Sequence, residues 1–170
     1  MVVMAESCTD SECKIMVSFK GTYLEDTCVI SINGKSSTET VEMPTISTAS
    51  LQSDGAETGS RPFSIALTGC PLNQTVSLRF ISGAVAADST TGNFVNTAGE
   101  TYSQNVQIRL RDENGKQMIA DDIDSVQDYV ISSTGEDISY QYLATYYAKG
   151  TSKVTAGLIN TTAGIDLIYK

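Results

Sequence analysis

Cysteines, clustered carboxylates and tyrosines are the residues in this chain whose types and spacing can do chemistry. Cys8, Cys13, Cys28 and Cys70 allow three disulfide pairings. An even number of cysteines in a chain rich in Ser and Thr suits an oxidising compartment. Only Thr-Asp-Ser-Glu separates Cys8 from Cys13. A bridge there would pin a small acidic loop, whereas a structural zinc site needs four ligands and the pair supplies two. Asp121, Asp122 and Asp124 imitate a glycosidase carboxylate pair or a calcium site. Their spacing is not that of an EF-hand, and acidic runs in loops are usually solvated. Tyr102, Tyr129, Tyr140, Tyr142, Tyr146 and Tyr147 offer aromatic faces that can stack on a sugar ring. Alternating tyrosines on a strand more often cap a core or pair across strands.

What is missing narrows the chemistry further. The 170 residues include no histidine and no tryptophan. That removes a Ser-His-Asp triad, a Cys-His dyad, an H-E-x-x-H zinc helix and any haem with a histidine axial ligand. Nothing in the sequence calls for a cofactor, and an enzyme is the least favoured class. With 11 Lys+Arg against 20 Asp+Glu the net charge is -9. Phosphate binding needs clustered cations, so nucleic acid is not an expected partner, nor is an anionic membrane surface. The longest purely apolar runs are four or five residues, far short of the roughly 20 that a membrane-spanning helix needs. Near the start, Val3-x-Ala5 fits the small-residue pattern read by signal peptidase. Residues 1–5 are therefore either a remnant of a secretory signal or an ordinary beginning.

The elements that must position these groups are strands. Apolar residues recur at every second position in Ile15–Phe19, Phe63–Leu67, Val76–Phe80, Val106–Leu110, Ile138–Tyr146 and Ile165–Tyr169, the pattern of half-buried strands. Cys28 opens the run Val29–Ile32, and Cys70 follows Phe63–Leu67. Both cysteines thus stand at strand ends, where a bridge between neighbours is geometrically reasonable. Turn signals separate the runs at Asn33-Gly34, Asp54-Gly55, Gly92-Asn93, Asn114-Gly115, Thr134-Gly135 and Lys149-Gly150. Asn114-Gly115, between Val106–Leu110 and Met118-Ile119, predicts a type I′ hairpin. The one helical expectation is a single turn within Ile46–Gln52, with Ser47, Thr48 and Ser50 as capping groups. Many short strands with regular turns give an all-β sandwich or barrel. Residues 1–14 read as a tail and residues 15–170 as one domain.

The order of the motifs is more specific than any one of them. Phe19 and Gly21 precede Cys28. Pro62-Phe63, Ile65 and Leu67 lead to Cys70. Asn105–Gly115 follows as a strand and turn, and Tyr169 stands one residue from the end. Over residues 15 to 170 this arrangement resembles the pilins of the chaperone–usher family, the type 1-like fimbrial subunits of Gram-negative bacteria.

The resemblance implies an immunoglobulin-like sandwich that lacks its last strand and is completed by a donor strand. It implies a Cys28–Cys70 disulfide; Cys8–Cys13, read from their spacing alone, is a possible second. Cys13, Ile15 and Val17 match the donor strand, although the segment from Glu6 to Ser18 has no glycine and is polar upstream of Cys13. Ile165, Leu167 and Tyr169 match the strand that borders the groove, where the chaperone docks. The function implied is a structural fimbrial subunit that polymerises by donor-strand exchange and contributes to cell adhesion. The alternative is a tip subunit of the same fold that binds a host glycan or protein receptor. The implied partners are neighbouring pilin subunits, a periplasmic chaperone and an outer-membrane usher. The implied route runs from the periplasm to an extracellular fimbrium on the cell surface.

Overall fold

The computed structural model describes residues 27–170 throughout and, before them, the backbone of residues 13–19. Two β-sheets pack face to face. One takes β1 (Cys13–Phe19), β3 (Thr38–Met43), β5 (Thr75–Ser82), β9 (Gln127–Val130) and β11 (Asn160–Tyr169), in the order β3-β1-β11-β5-β9. The other takes β2 (Val29–Ile32), β4 (Glu57–Thr68), β6 (Phe94–Val95), β7 (Val106–Asp112) and β10 (Ile138–Ala148), in the order β2-β4-β10-β7-β6, with β8 (Gln117–Met118) paired to β7. The predicted period-two runs all become strands. β1 begins at Cys13, so Cys13 and Lys14 belong to the sheet and not to the tail.

Alternation builds the core. Phe63, Ile65 and Leu67 of β4, Val76, Leu78 and Phe80 of β5, and Ile108 and Leu110 of β7 are all buried. Tyrosines join the two layers. Tyr129 of β9 donates its hydroxyl to the Ile65 carbonyl at 3.0 Å, and its oxygen lies 2.9 Å from the Tyr142 hydroxyl of β10. Tyr142 stacks on Phe63 with ring centroids 5.6 Å apart and meets Phe80 edge-on at 5.2 Å. Burial pushes both hydroxyls above the ordinary tyrosine range, because desolvation penalises the phenolate. The aromatic stripe of β10 is therefore mainly core: Tyr142 and Tyr146 are buried, and Tyr140 packs edge-on against Tyr129.

Two local expectations resolve differently. The single helical turn forms at Thr48–Leu51 as a 3-10 turn, with the Ser47 side chain capping Ala49 N. The Asn114-Gly115 turn is not type I′. That type needs positive φ at both central residues, and of the two only Gly115 has it, at 82°. The Asp112 carboxylate accepts from Asn114 N and Lys116 N, which holds Asn114 in ordinary backbone geometry. Type I′ chemistry occurs instead at Asn33-Gly34, with φ of 52° and 72° and a bond from Lys35 N to Ile32 O. There the turn hands the chain from β2 in one sheet to β3 in the other.

The long connection between β5 and β7 is pinned by buried polar groups. Asp88 accepts from Thr90 N and Oγ1 and from Gln107 Nε2, and it pairs with Lys149. Burial alone would raise its carboxyl, but these donors outweigh burial and hold it well below the usual carboxylate range. Beside it, Arg109 lies 4.2 Å over the Tyr147 ring and donates to Asn93 Oδ1 at 2.9 Å.

Cys28 and Cys70 are disulfide-bonded across a sequence separation of 42, as the resemblance implied. The bond staples the start of β2 to the end of β4. In the chain-entropy model a loop of this size is worth about 4 kcal/mol. Two outcomes follow for the folded subunit. Non-reducing peptide mapping will recover the Cys28 and Cys70 peptides joined, and a Cys28→Ala/Cys70→Ala variant will lose about 4 kcal/mol of unfolding free energy. Stability will also fall as pH rises above 10.0, the ordinary tyrosine value, because the unfolded chain ionises there while buried Tyr129 and Tyr142 do not. A Tyr129→Phe/Tyr142→Phe variant, compared by denaturant titration from pH 9 to 11, will show a shallower fall.

The strand position between β3 and β11

β1 lies between β3 and β11 and is the only described strand that touches both. Its register with β3 is antiparallel, with Cys13 opposite Met43, Ile15 opposite Val41 and Val17 opposite Glu39. With β11 it is parallel, with Ile15 opposite Thr161, Val17 opposite Ala163 and Phe19 opposite Ile165. Ile15 and Val17 thus fall on the edge of β11 that β5 does not occupy, while Cys13, the third expected donor-strand residue, precedes the β11 ladder and pairs only with Met43 of β3. Without β1 this sheet would have a strand-wide gap and two unpaired backbone edges, one on β3 and one on β11. The gap would be floored by the buried side chains of Val41, Met43, Ala163 and Ile165.

The β11 wall of the gap is held independently of β1. β5 pairs β11 from Ala163 opposite Ser82 to Tyr169 opposite Val76. Within that ladder Arg79 Nε and Asp166 Oδ2 form a cross-strand ion pair at 2.7 Å. At the lower end of β11, Cys28 N donates to the Tyr169 hydroxyl at 2.9 Å. The penultimate tyrosine thereby fastens the last strand to the disulfide. At the upper end, the buried Asn96 amide donates to Ser103 O and Leu158 O and accepts from Asn160 N. Gly157 belongs to this upper frame. A Cβ there would lie 2.6 Å from Ser103 N and 2.7 Å from the Tyr102 carbonyl carbon, so only glycine allows the two backbones to meet. The same end holds a mostly apolar cleft of about 210 Å³, lined by residues that include Ile46, Leu51, Tyr146, Val154 and Ile159.

Of the expected groove residues, Ile165 is fully buried, Leu167 is half-buried and Tyr169 is 37% exposed. Cys8 lies outside the described residues, so the Cys8–Cys13 candidate stays a sequence-level proposal. The carboxylate run does not converge: Asp121 accepts from Ser82 N and Oγ at 2.7 Å each, and Asp122 caps Asp124 N. Among the described residues no three His, Cys, Asp or Glu side chains come together as a metal site. Sequence reasoning missed β3, β9 and the Asn96 bonds. β3 carries Thr38-Glu39-Thr40 in its first half and so shows little apolar alternation. Nothing in the sequence around Asn96 marks its amide as a structural bridge.

These features can be set beside known proteins. The family model described as "Fimbrial protein" matches residues 17–170. The F17 fimbrial protein of Escherichia coli is 35% identical over 163 residues, covering 91% of this chain and 86% of that protein. The major fimbrial subunit SMF-1 of Stenotrophomonas maltophilia is 30% identical, with 90% of each chain covered. In fold, the chain is similar to the P pilus rod subunit PapA, with a TM-score of 0.64 at 21% identity, covering 84% of this chain and 99% of that one. It is also similar to a subunit of a chaperone-usher pilus, with a TM-score of 0.65 at 20% identity, covering 90% and 93%. The chain belongs to the fimbrial protein family: it is a structural pilus subunit with an immunoglobulin-like pilin sandwich.

Proposed function

We propose that this subunit polymerises by donor-strand exchange, the place of β1 in one copy being taken by residues 13–19 of another. The observation that carries this reading is the position of β1 itself. It closes the β3–β11 gap, comes from the N-terminal segment, and is separated from the rest of its sheet by the β2 strand of the other sheet. Cys13, Ile15 and Val17 are the donor residues in this reading. Ile165, Leu167 and Tyr169 border the acceptor groove.

The direction of β1 follows from chain length. β2 starts at the lower end of β11, since Cys28 N bonds Tyr169. The connection from Phe19 to Val29 reaches about 33 Å when fully drawn out. An antiparallel β1 would put Phe19 at the Asn160 end, about 30 Å along β11 at strand rise and one sheet away from Val29. That would leave the connection no slack, so within one chain β1 runs parallel. A segment supplied by another copy has no such tether and can take the antiparallel pairing, which is slightly more stable per residue. An unfilled groove is an exposed sheet edge beside apolar surface and invites aggregation. A periplasmic chaperone that lends a strand, and an outer-membrane usher where exchange occurs, answer that hazard. The product is a filament on the cell surface that contributes to adhesion.

The test is removal and replacement of the strand. A chain lacking residues 1–19 will aggregate when expressed alone, and a synthetic peptide spanning Cys13–Phe19 will restore a soluble, folded complex. The full chain is expected to give a ladder of multimers on unheated denaturing gels, and Ile15→Asp/Val17→Asp will abolish it. A soluble, cooperatively folding truncated monomer, or undiminished polymerisation of the double variant, would overturn the reading.

A further inference from the structure

In both sheets a long strand outruns the short strand that covers one of its edges. β4 has 12 residues, and β2, with 4, pairs only Ile65–Thr68. β5 has 8, and β9, with 4, pairs only Thr75–Leu78. Along Glu57–Ser64 of β4 and Arg79–Ser82 of β5, no described strand lies on that side. Overhangs of this kind are templates for strand addition. A cleft of about 230 Å³, lined by Asn33, Thr40, Val41, Glu42, Arg61 and Pro62, opens beside the β4 overhang. At the β5 overhang, Ile119 and Ile123 are 39% and 66% exposed on either side of Asp121.

At each overhang one residue imitates a neighbouring strand and then ends it. Asn33 donates its N–H to Ser64 O and accepts from Ser64 N through Oδ1, both at 2.9 Å. That is the two-bond exchange of an antiparallel pair, with a side-chain oxygen in place of the backbone carbonyl. Two residues earlier on the same edge, Pro62 has no N–H to offer. Asp121 donates its N–H to Phe80 O at 3.0 Å and accepts from Ser82 N through Oδ1 at 2.7 Å. That is the slanted pattern of a parallel pair, again completed by a side chain. Both residues have positive φ, 52° at Asn33 and 63° at Asp121. This backbone lies outside the strand region, and Asn and Asp tolerate it better than other side chains. The chain thus takes up the edge's hydrogen bonds at one position and leads away.

We propose that Asn33 and Asp121 are specificity-determining residues for strand addition. Each closes an overhanging edge to a donor segment, so that addition is directed to the β3–β11 position. The inference rests on the donor-strand reading. Main-chain pairing gives affinity at any free edge, whatever the sequence of the incoming strand. The Cys13–Phe19 segment, 7 residues long, can span either overhang. With Ser64, Phe80 and Ser82 already engaged, it meets no free ladder there.

The test refolds the full chain from denaturant, its disulfide intact, in an excess of a synthetic Cys13–Phe19 peptide. The peptide carries Cys13→Ser and a photo-crosslinking benzoylphenylalanine in place of Met16. In the unaltered chain, crosslinks are expected in residues 38–43 and 160–169, where the peptide replaces β1. Asn33→Gly keeps the positive-φ backbone and removes the side-chain acceptor. It is expected to raise crosslinks in residues 57–64 by about tenfold, as for a gain of two backbone hydrogen bonds. Asp121→Gly is expected to raise them in residues 79–82 instead. Asn33→Asp and Asp121→Asn keep Oδ1 and are expected to label like the unaltered chain. General loosening of the fold would raise labelling at both overhangs in either variant, and that result would overturn the proposal. So would glycine variants labelled only at β3 and β11, or an unaltered chain already labelled at the overhangs. Either result would leave donor-strand exchange standing. An unaltered chain left unlabelled at β3 and β11 would overturn the exchange reading and this inference with it.

Discussion

Everything in this fold depends on the backbone hydrogen bonding of one strand position. β3 and β11 lie too far apart to pair with each other, and each has an edge that must be satisfied. β1 meets both demands at once, antiparallel to one neighbour and parallel to the other. The apolar floor beneath it makes the position costly to leave open, and the unpaired edges make it hazardous. The strand that fills it is attached to the rest of the chain only through the connection that leads to β2. A vital strand on a tether is what the proposed exchange between copies requires.

The remainder of the sandwich is built to hold the position ready. The Cys28–Cys70 bond, the Tyr169 hydroxyl and the Arg79–Asp166 pair fix the lower half of β11. The Asn96 amide and Gly157 fix its upper end. The Tyr129–Tyr142 contact ties one sheet to the other away from the gap. None of these interactions uses a residue of β1. In the proposed exchange, a frame that keeps its shape while strands trade places would avoid an ordering cost.

Much of this was legible in the sequence because period-two alternation survives wherever one face of a strand is buried. β4, β5, β7, β10 and β11 announced themselves that way, and the ordered motifs around Cys28, Cys70 and Tyr169 pointed to the family. β3 and β9 were not legible, since Thr38–Met43 and Gln127–Val130 each bury too few side chains to show a period. The Asn114-Gly115 turn misled for a local reason: the Asp112 carboxylate supplies two hydrogen bonds that a type I′ turn does not need. The tyrosine stripe of β10 was ambiguous between a binding face and a core until Tyr142 and Tyr146 proved buried. The direction of β1 was beyond the sequence, because it depends on where β2 begins in space.

The central claim is that the β3–β11 position is filled from another copy in the filament. The direct measurement is solid-state NMR on filaments grown from an equal mixture of copies labelled with nitrogen-15 alone and copies labelled with carbon-13 alone. Contacts between residues 13–19 and β11 arising only between differently labelled copies, in antiparallel register, are the predicted result. Their absence from the mixed filament, together with parallel contacts within uniformly double-labelled subunits diluted in unlabelled ones, would contradict the account.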